Sequence, residues 1–171
     1  QNEQSLVVNV CELEPEDSRA VYKNINIDMR QYKRLRMFIH AHEDGSNGFP
    51  DEEKLIGFIR MGNDLTENYY QIEIPLMKSS NTDGDLSNPN EAWPNENEIN
   101  LPIDILGKIK SQAISDGPLP NNDPRFYDVV NNEIVEVNEF ANYTTAQHRV
   151  AIKGNPNFGD VRTLMVGVKN A

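Results

Sequence analysis

Three apolar runs lie close together in the first half of the sequence: Arg34-Leu-Arg-Met-Phe-Ile-His-Ala41, Leu55-Ile-Gly-Phe-Ile-Arg-Met61 and Tyr69-Tyr-Gln-Ile-Glu-Ile-Pro-Leu76. Each run is long enough for one β-strand, and polar connectors that contain glycine separate them. The first and third runs alternate between apolar and polar residues, as strands with one buried and one solvent-facing side do. The middle run is apolar on both sides, so we expect it to lie centrally with both faces covered. The three runs therefore predict the centre of a two-layer β-sandwich.

The alternation also assigns individual side chains to the core or to solvent. In the third run it places Gln71 and Glu73 on the solvent-facing side of the strand. Arg34, Arg36 and Arg60 lie within the runs, and we interpret them as structural, paired with carboxylates or lying along the solvent-facing side. Recognition of a carboxylate on a ligand is the alternative for these arginines. The predicted core contains Met37, Ile39, Phe58, Ile59, Ile72 and Ile74.

Further strands and one helix are predicted outside these runs. The strands are expected at residues 5–13, 21–27, 126–130, 133–137, 148–153 and 161–169. Asn131-Asn132 tolerates the left-handed backbone of a tight turn, so strands 126–130 and 133–137 should form a hairpin. Apolar residues recur every three or four positions from Pro102 to Ser115, which predicts an amphipathic helix. About nine strands and one short helix predict a mainly β, jelly-roll-like sandwich similar to galactose-binding-like modules.

Length, charge and cysteine content limit the function. A chain of 171 residues fits one domain, 1–171. The net charge of -11 disfavours nucleic acid and anionic lipid as partners, because both attract clustered Lys and Arg. No apolar run approaches the roughly 20 residues of a membrane helix, so we expect no direct membrane insertion of this domain. Cys11 is the only cysteine, and we predict that it is a small buried residue of the first strand.

Several long strings in this chain resemble one known protein family. They are Tyr22-Lys-Asn-Ile-Asn-Ile-Asp-Met-Arg-Gln-Tyr-Lys-Arg-Leu-Arg-Met-Phe-Ile-His40, Phe58-Ile-Arg-Met-Gly-Asn-Asp64, Asn68-Tyr-Tyr-Gln-Ile-Glu-Ile-Pro-Leu76, Trp93-Pro-Asn-Glu-Asn-Glu-Ile-Asn-Leu-Pro102, Ile152-Lys-Gly-Asn-Pro-Asn157 and Val161-Arg-Thr-Leu-Met-Val-Gly-Val-Lys-Asn170. In these strings the chain resembles the SprA family, also called Sov. Members of that family are outer-membrane barrels that export proteins in the type IX secretion system, and in gliding bacteria they also serve motility.

The resemblance implies a function, a location and a set of partners. Because 171 residues are too few for the barrel, we expect one domain of a much larger outer-membrane protein. The implied function is non-enzymatic support of protein export and gliding through protein–protein contacts. The implied partners are other secretion-system proteins, the rest of the parent barrel and secreted cargo. The implied location is the cell envelope, at the outer membrane on its periplasmic or extracellular side. The chain begins at Gln1 without an initiator methionine, which agrees with a piece of a longer protein.

The fold analogy supports a second function, a carbohydrate-binding module with a jelly-roll fold. Aromatic side chains that could stack on a sugar ring are Trp93, Tyr69, Tyr70 and Tyr143. For Trp93, which precedes a proline in a long connector, the structural alternative is that the indole anchors this connector to the core.

Signatures of catalysis are largely absent from the sequence. The three histidines are dispersed, and no nucleophile elbow, phosphate-binding glycine loop or zinc-binding helix motif occurs. We therefore expect no enzymatic activity and no cofactor. The polar loop from Lys78 to Glu91 contains Asp83-Gly-Asp85, and closely spaced oxygen ligands of this kind suit calcium. We interpret this stretch as an acidic loop without a metal, with calcium held by Asp83 and Asp85 as the alternative.

Overall fold

The computed structural model of the chain describes residues 5–43, 54–79, 89–143 and 148–171. These ranges contain nine strands and two α-helices. The strands are β1 (Ser18–Ile27), β2 (Arg34–Phe38), β3 (Leu55–Gly62), β4 (Tyr69–Pro75), β5 (Glu98–Pro102), β6 (Arg125–Val130), β7 (Glu133–Val137), β8 (His148–Lys153) and β9 (Val161–Asn170). The helices are α1 (Pro89–Ala92) and α2 (Ile103–Ser115).

The strands form two antiparallel sheets. The large sheet has seven strands in the order β1-β9-β3-β4-β8-β6-β7, and β2 pairs with β5 in the small sheet. Helix α2 follows β5 directly and contacts both β5 and β8. The small sheet and α2 together cover one face of the large sheet, and this confirms the predicted mainly β sandwich with an amphipathic helix.

A single apolar core lies between these layers. Ile59, Ile72 and Ile74 belong to it as predicted, and Met37 and Ile39 pack against it while remaining half-buried. Strand β3 lies between β9 and β4, which confirms its central position. Phe58 is buried too, but it alternates with Ile59 along β3 and so lies on the opposite face of the large sheet.

The pairing of β2 with β5 was not foreseen from the sequence. Strand β2 is not part of the large sheet. In its pairing with β5, Arg34 lies opposite Pro102 and Phe38 lies opposite Glu98. In β5, Ile99 and Leu101 are buried. A strand of five residues that leads directly into a helix gives a weak alternation signal, so β5 was missed in the sequence.

The predicted first strand, residues 5–13, is wrong. This segment has no regular secondary structure in the region that the structure describes, and Cys11 is exposed instead of buried. An alternating sequence forms a strand only where another strand accepts its backbone hydrogen bonds, and no described strand does so here. Strand β1 begins at Ser18 and contains the predicted strand 21–27.

The hairpin and the amphipathic helix are confirmed. Asn131 and Asn132 have φ angles of 52° and 65°, which are the left-handed values that the turn between β6 and β7 requires. Along α2 the buried residues are Ile103, Ile105, Leu106, Ile109 and Ala113. Of the helices in the described part of the chain, none combines the length and the apolar character needed to cross a bilayer.

Candidate functional site

Two of the tyrosines predicted to stack on a sugar, Tyr69 and Tyr70, lie at the start of β4, and both are buried. Adjacent residues of a strand point to opposite faces, so these two tyrosines form no common surface. The guanidinium of Arg60 lies 4.1 Å from the ring centre of Tyr69. The ring of Tyr70 stacks on that of Phe158 with centroids 4.7 Å apart, and burial raises the pKa of the Tyr70 phenol. Protein atoms therefore occupy the ring faces that a sugar would need.

The remaining predicted site residues are dispersed. Trp93 follows α1, and 48% of its surface is exposed, so solvent reaches the indole. Asp83 and Asp85 lie outside the described residues, and calcium binding by them stays a prediction. Among residues 5–43, 54–79, 89–143 and 148–171, no group of three or more His, Cys, Asp or Glu side chains is arranged to hold a metal ion.

Trp93 belongs to an exposed group of side chains that we call the aromatic strip. It consists of the rings of Phe38, His40, His42 and Trp93, together with the guanidinium of Arg36 against Phe38. The rings of Phe38 and Trp93 meet edge to face, with centroids 6.5 Å apart and planes at 81°. His40 lies 5.2 Å from Trp93 and 5.2 Å from His42, measured between ring centroids. Half of the Phe38 surface is exposed. The strip therefore presents a continuous aromatic surface on the outer side of the small sheet.

One ion pair and one hydrogen bond hold the small sheet and the strip in place. The Arg36 guanidinium donates from Nε and Nη2 to Oε1 of Glu98, over 2.8 and 2.6 Å, and lies 5.6 Å from the ring centre of Phe38. The backbone N–H of Asn100 donates to Nε2 of His148 over 3.0 Å, which links the small sheet to β8. Burial lowers the pKa of His148, so the imidazole stays neutral and can accept this hydrogen bond. The strip thus rests on a fixed support.

The face of the large sheet that points away from the small sheet and α2 contains a buried ion network. Its members are Gln71, Glu73, Asp128, Tyr143, Arg149 and Lys169. Gln71 and Glu73 were expected to face solvent, and this prediction is wrong because both are buried. The Glu73 carboxylate accepts hydrogen bonds from Gln71 Nε2 over 2.5 Å, from Lys169 Nζ over 2.9 Å and from the Tyr143 hydroxyl. These donors replace water around the Glu73 charge.

Arg149 is the cation at the centre of this network. In the strand register it lies opposite Glu73 on β4 and opposite Asp128 on β6. Its guanidinium binds both carboxylate oxygens of Asp128, over 2.8 and 3.2 Å. It also donates to the carbonyl oxygens of Ala141 and Asn142, over 2.7 and 3.3 Å. Burial alone would lower the pKa of Arg149, but the hydrogen bonds that its guanidinium donates to Asp128 outweigh burial and the pKa is raised. Arg149 therefore stays charged.

The buried ion network holds residues 141–143 against the large sheet through hydrogen bonds. The Arg149 guanidinium lies 4.0 Å from the ring centre of Tyr143, and burial together with the negative charge of Glu73 raises the pKa of the Tyr143 phenol. The phenol thus remains a protonated donor. Sequence reasoning missed this network, although one signal was present: Asp128 and Arg149 are charged residues that directly precede the apolar pairs Val129-Val130 and Val150-Ala151 within their strands.

Asparagine side chains join two loops at one end of the large sheet, and an aspartate side chain orders one of these loops. Oδ1 of Asn63 accepts from the backbone N–H of Asn157 over 2.8 Å, and Oδ1 of Asn68 accepts from that of Asn155 over 3.0 Å. Asp64 accepts from the backbone N–H groups of residues 66, 67 and 68 and so fixes its own loop. The loop after β3 therefore docks firmly onto the loop after β8.

Replacing Asp64 with asparagine should change how stability depends on pH. Burial alone would raise the pKa of Asp64, but hydrogen bonds from Asn68 and from backbone amides outweigh it and lower the pKa from 3.8 to about 2. A carboxyl whose pKa is lower in the folded state stabilises the protein above its unfolded pKa, and this stabilisation disappears as the pH falls toward 2. We expect Asp64→Asn to cost about 1 kcal/mol at neutral pH, because asparagine keeps an acceptor oxygen but lacks the charge that strengthens these hydrogen bonds.

Urea unfolding between about pH 6 and pH 2 measures this effect. The parent chain should lose stability more steeply below about pH 4 than the Asp64→Asn variant. Equal slopes in the two proteins would contradict the assigned role of Asp64.

A family model described as motility related/secretion protein, SprA_N, matches residues 1–171, which is the whole chain. The chain belongs to the SprA_N family. Membership confirms the resemblance found in the sequence and makes this a motility- and secretion-related protein, which indicates association with the cell envelope. No curated protein shows a significant match.

Three of the strings that resembled SprA have clear roles in this SprA_N chain. The string that ends at Asp64 and the string 152–157 form the docked loops. The string 93–102 contains Trp93 of the aromatic strip together with β5, which supports the strip. The resemblance therefore covers both the framework and the candidate surface.

Proposed function

We propose that this SprA_N chain is a non-enzymatic domain of a type IX secretion translocon, and that it supports protein export and gliding motility through protein–protein contacts. Its family supplies the link to secretion and motility. The observation that carries the contact function is the exposed Phe38–Trp93 pair beside Arg36. The partners are other secretion-system proteins, the rest of the parent barrel or secreted cargo, at the outer membrane on its periplasmic or extracellular side.

The composition of the aromatic strip suits a protein interface. Trp, Phe and Arg are enriched at protein interfaces, and Trp and Arg dominate the residues whose truncation most weakens binding. Phe38 and Arg36 project from a paired strand, and the ion pair of Arg36 with Glu98 holds the guanidinium in place. A partner that covers the strip therefore orders few side chains, so more of the contact energy appears as affinity.

Charge adds a second element of recognition. The chain has a net charge of -11, so at long range it attracts basic surfaces and repels acidic ones. Such steering acts mainly on the rate of association and weakens as salt screens the charges. Contact through the strip should therefore be stronger with partners that carry basic residues around an apolar centre.

The test is the double variant Phe38→Ala/Trp93→Ala in the gene product that contains this chain, expressed in its own host. Truncating two central aromatic residues should weaken the contact about 30-fold, which corresponds to about 2 kcal/mol. Cargo in the medium and spreading on agar should decrease, while the amount of variant protein in the outer-membrane fraction stays at the parent level.

Phe140→Ala is the matched control, because Phe140 is 85% exposed and lies away from the strip in the loop after β7. Export by the control should equal that of the parent. Undiminished export by the double variant, at normal protein levels, would refute the strip as the contact surface.

A carbohydrate-binding module is the second candidate function, and the half-exposed Trp93 is the observation that favours it. An exposed indole can stack on the apolar face of a sugar ring. A glycan array probed with the isolated chain tests this function. Saturable binding that is lost in Trp93→Ala would support it, and no binding to any glycan would remove it.

A further inference from the structure

The segment of residues 5–13, here called the arm, exposes apolar side chains that resemble those of a buried strand. Leu6 is 67% exposed, Val7 77% and Val8 39%. Apolar residues lie at both odd and even positions of the arm, as in a strand covered on both faces. Contiguous exposure of this kind marks a surface that another molecule covers.

The base of the arm is fixed, whereas its outer part has no backbone partner among the described residues. Leu13 packs against the core, and its carbonyl oxygen accepts from Nδ2 of Asn170 over 3.0 Å. The backbone N–H of Glu16 donates to the carbonyl oxygen of Asn170 over 2.7 Å. Residues 6–11 make no backbone hydrogen bond with any other described residue. The arm is therefore anchored beside the end of β9, and no described residue pairs with the backbone donors and acceptors of residues 6–11.

Charge indicates which kind of sheet edge the arm fits. Residues 5–11 carry no charged side chain. The outer strands of the large sheet are β1 and β7, and both carry charges: Arg19 and Lys23 on β1, and Glu133 and Glu136 on β7. Charged side chains protect a sheet edge against further pairing. In the small sheet, β2 carries Arg34 and Arg36 and β5 carries Glu98. The described strands of a second copy therefore offer the arm only edges that carry charged side chains.

We propose that the arm becomes a β-strand by pairing with an uncharged sheet edge of a different protein domain. Pairing satisfies the backbone groups of residues 6–11 and buries the side chains of Leu6, Val7 and Val8. The strand is then the one that the apolar run of residues 5–13 predicts and that does not form within the described part of this chain. This inference is independent of the aromatic strip and of its contacts.

Hydrogen exchange of the peptide that spans residues 5–13 tests the proposal. Amides in a stable strand exchange more slowly than amides open to water. We expect rapid exchange in the isolated chain, and exchange about 100-fold slower in the whole gene product extracted from its host. Rapid exchange in both would overturn the proposal. Slow exchange in the isolated chain would also overturn it, in favour of a second copy if protection rises with concentration.

Two variants at one position separate pairing from general damage. Val8→Pro removes a backbone donor and should abolish the slow exchange in the gene product. It should leave the melting temperature of the isolated chain unchanged, because Val8 lies in the outer part of the arm, which makes no backbone hydrogen bond with any other described residue. Val8→Thr keeps a β-branched side chain and should retain the protection. Protection that survives Val8→Pro would contradict strand pairing.

Discussion

Arg149→Met should destabilise the chain by about 3 to 5 kcal/mol, which is a large part of the stability of a domain. The Arg149 side chain is fully buried, and that of Asp128 is 7% exposed. Removing the guanidinium leaves the carboxylate of Asp128 without its cation in a site that water does not reach. The carbonyl oxygens of Ala141 and Asn142 lose their donor at the same time. Urea unfolding followed by circular dichroism measures the loss.

Two further variants show whether burial of the ion pair causes this loss. The double variant Asp128→Leu/Arg149→Met removes both charges, so it should be more stable than Arg149→Met alone. Arg162→Met breaks an exposed pair with Asp160, and such pairs contribute about 0 to 1 kcal/mol. If Arg149→Met unfolds at the urea concentration of Arg162→Met, the buried ion network does not stabilise the fold.

Gly154→Ala should cost about 2 to 5 kcal/mol, the sum of about 1 to 2 for a left-handed backbone and about 1 to 3 for overpacking. Gly154 has a φ of +61°, and an added Cβ would lie 2.1 Å from the carbonyl oxygen of Glu67. The backbone on both sides is held, because the N–H of Gly154 donates to the carbonyl oxygen of Pro120 and its neighbour Asn155 donates to Asn68. Thermal unfolding measures the loss.

Gly107→Ala is the matched control for this substitution. Gly107 lies within α2, and an added Cβ would meet nothing within 4 Å. Alanine is the better helix former by about 1 kcal/mol, so this variant should be more stable than the parent. If both variants shift the melting temperature in the same direction, the docking of the two loops is not what constrains Gly154.

The sequence was sufficient where a strand or helix is defined by its own residues. The alternation of β4 and the apolar run of β3 predict those strands, and Asn131-Asn132 predicts the hairpin turn. The same local pattern misplaces Glu73, because alternation separates the two faces of a strand but does not show what covers each face. Residues 141–143, which contribute to the cover over Glu73, are almost 70 residues away in the chain.

Long-range pairing explains the other differences. Strand β2 pairs with β5 about 60 residues later, and nothing within either segment identifies this partner. The arm shows the converse case, because its pattern predicts a strand and no described strand pairs with it. For the candidate site, Trp93 was identified from the sequence, whereas its contact with Phe38 depends on the pairing of β5 with β2, which brings the residues just before β5 close to Phe38.

The position of β9 in the sheet bears on how the polypeptide matures during synthesis. Strand β9 is inserted between β1 and β3, so those two strands reach their final places only after residues 161–170 have left the ribosome. Strand pairs so distant in sequence form slowly, since a long loop must close before any contact is gained. Until then β1 has no partner among the described strands and one edge of β3 is open, so this part of the chain cannot complete its large sheet before residue 170 has been synthesised.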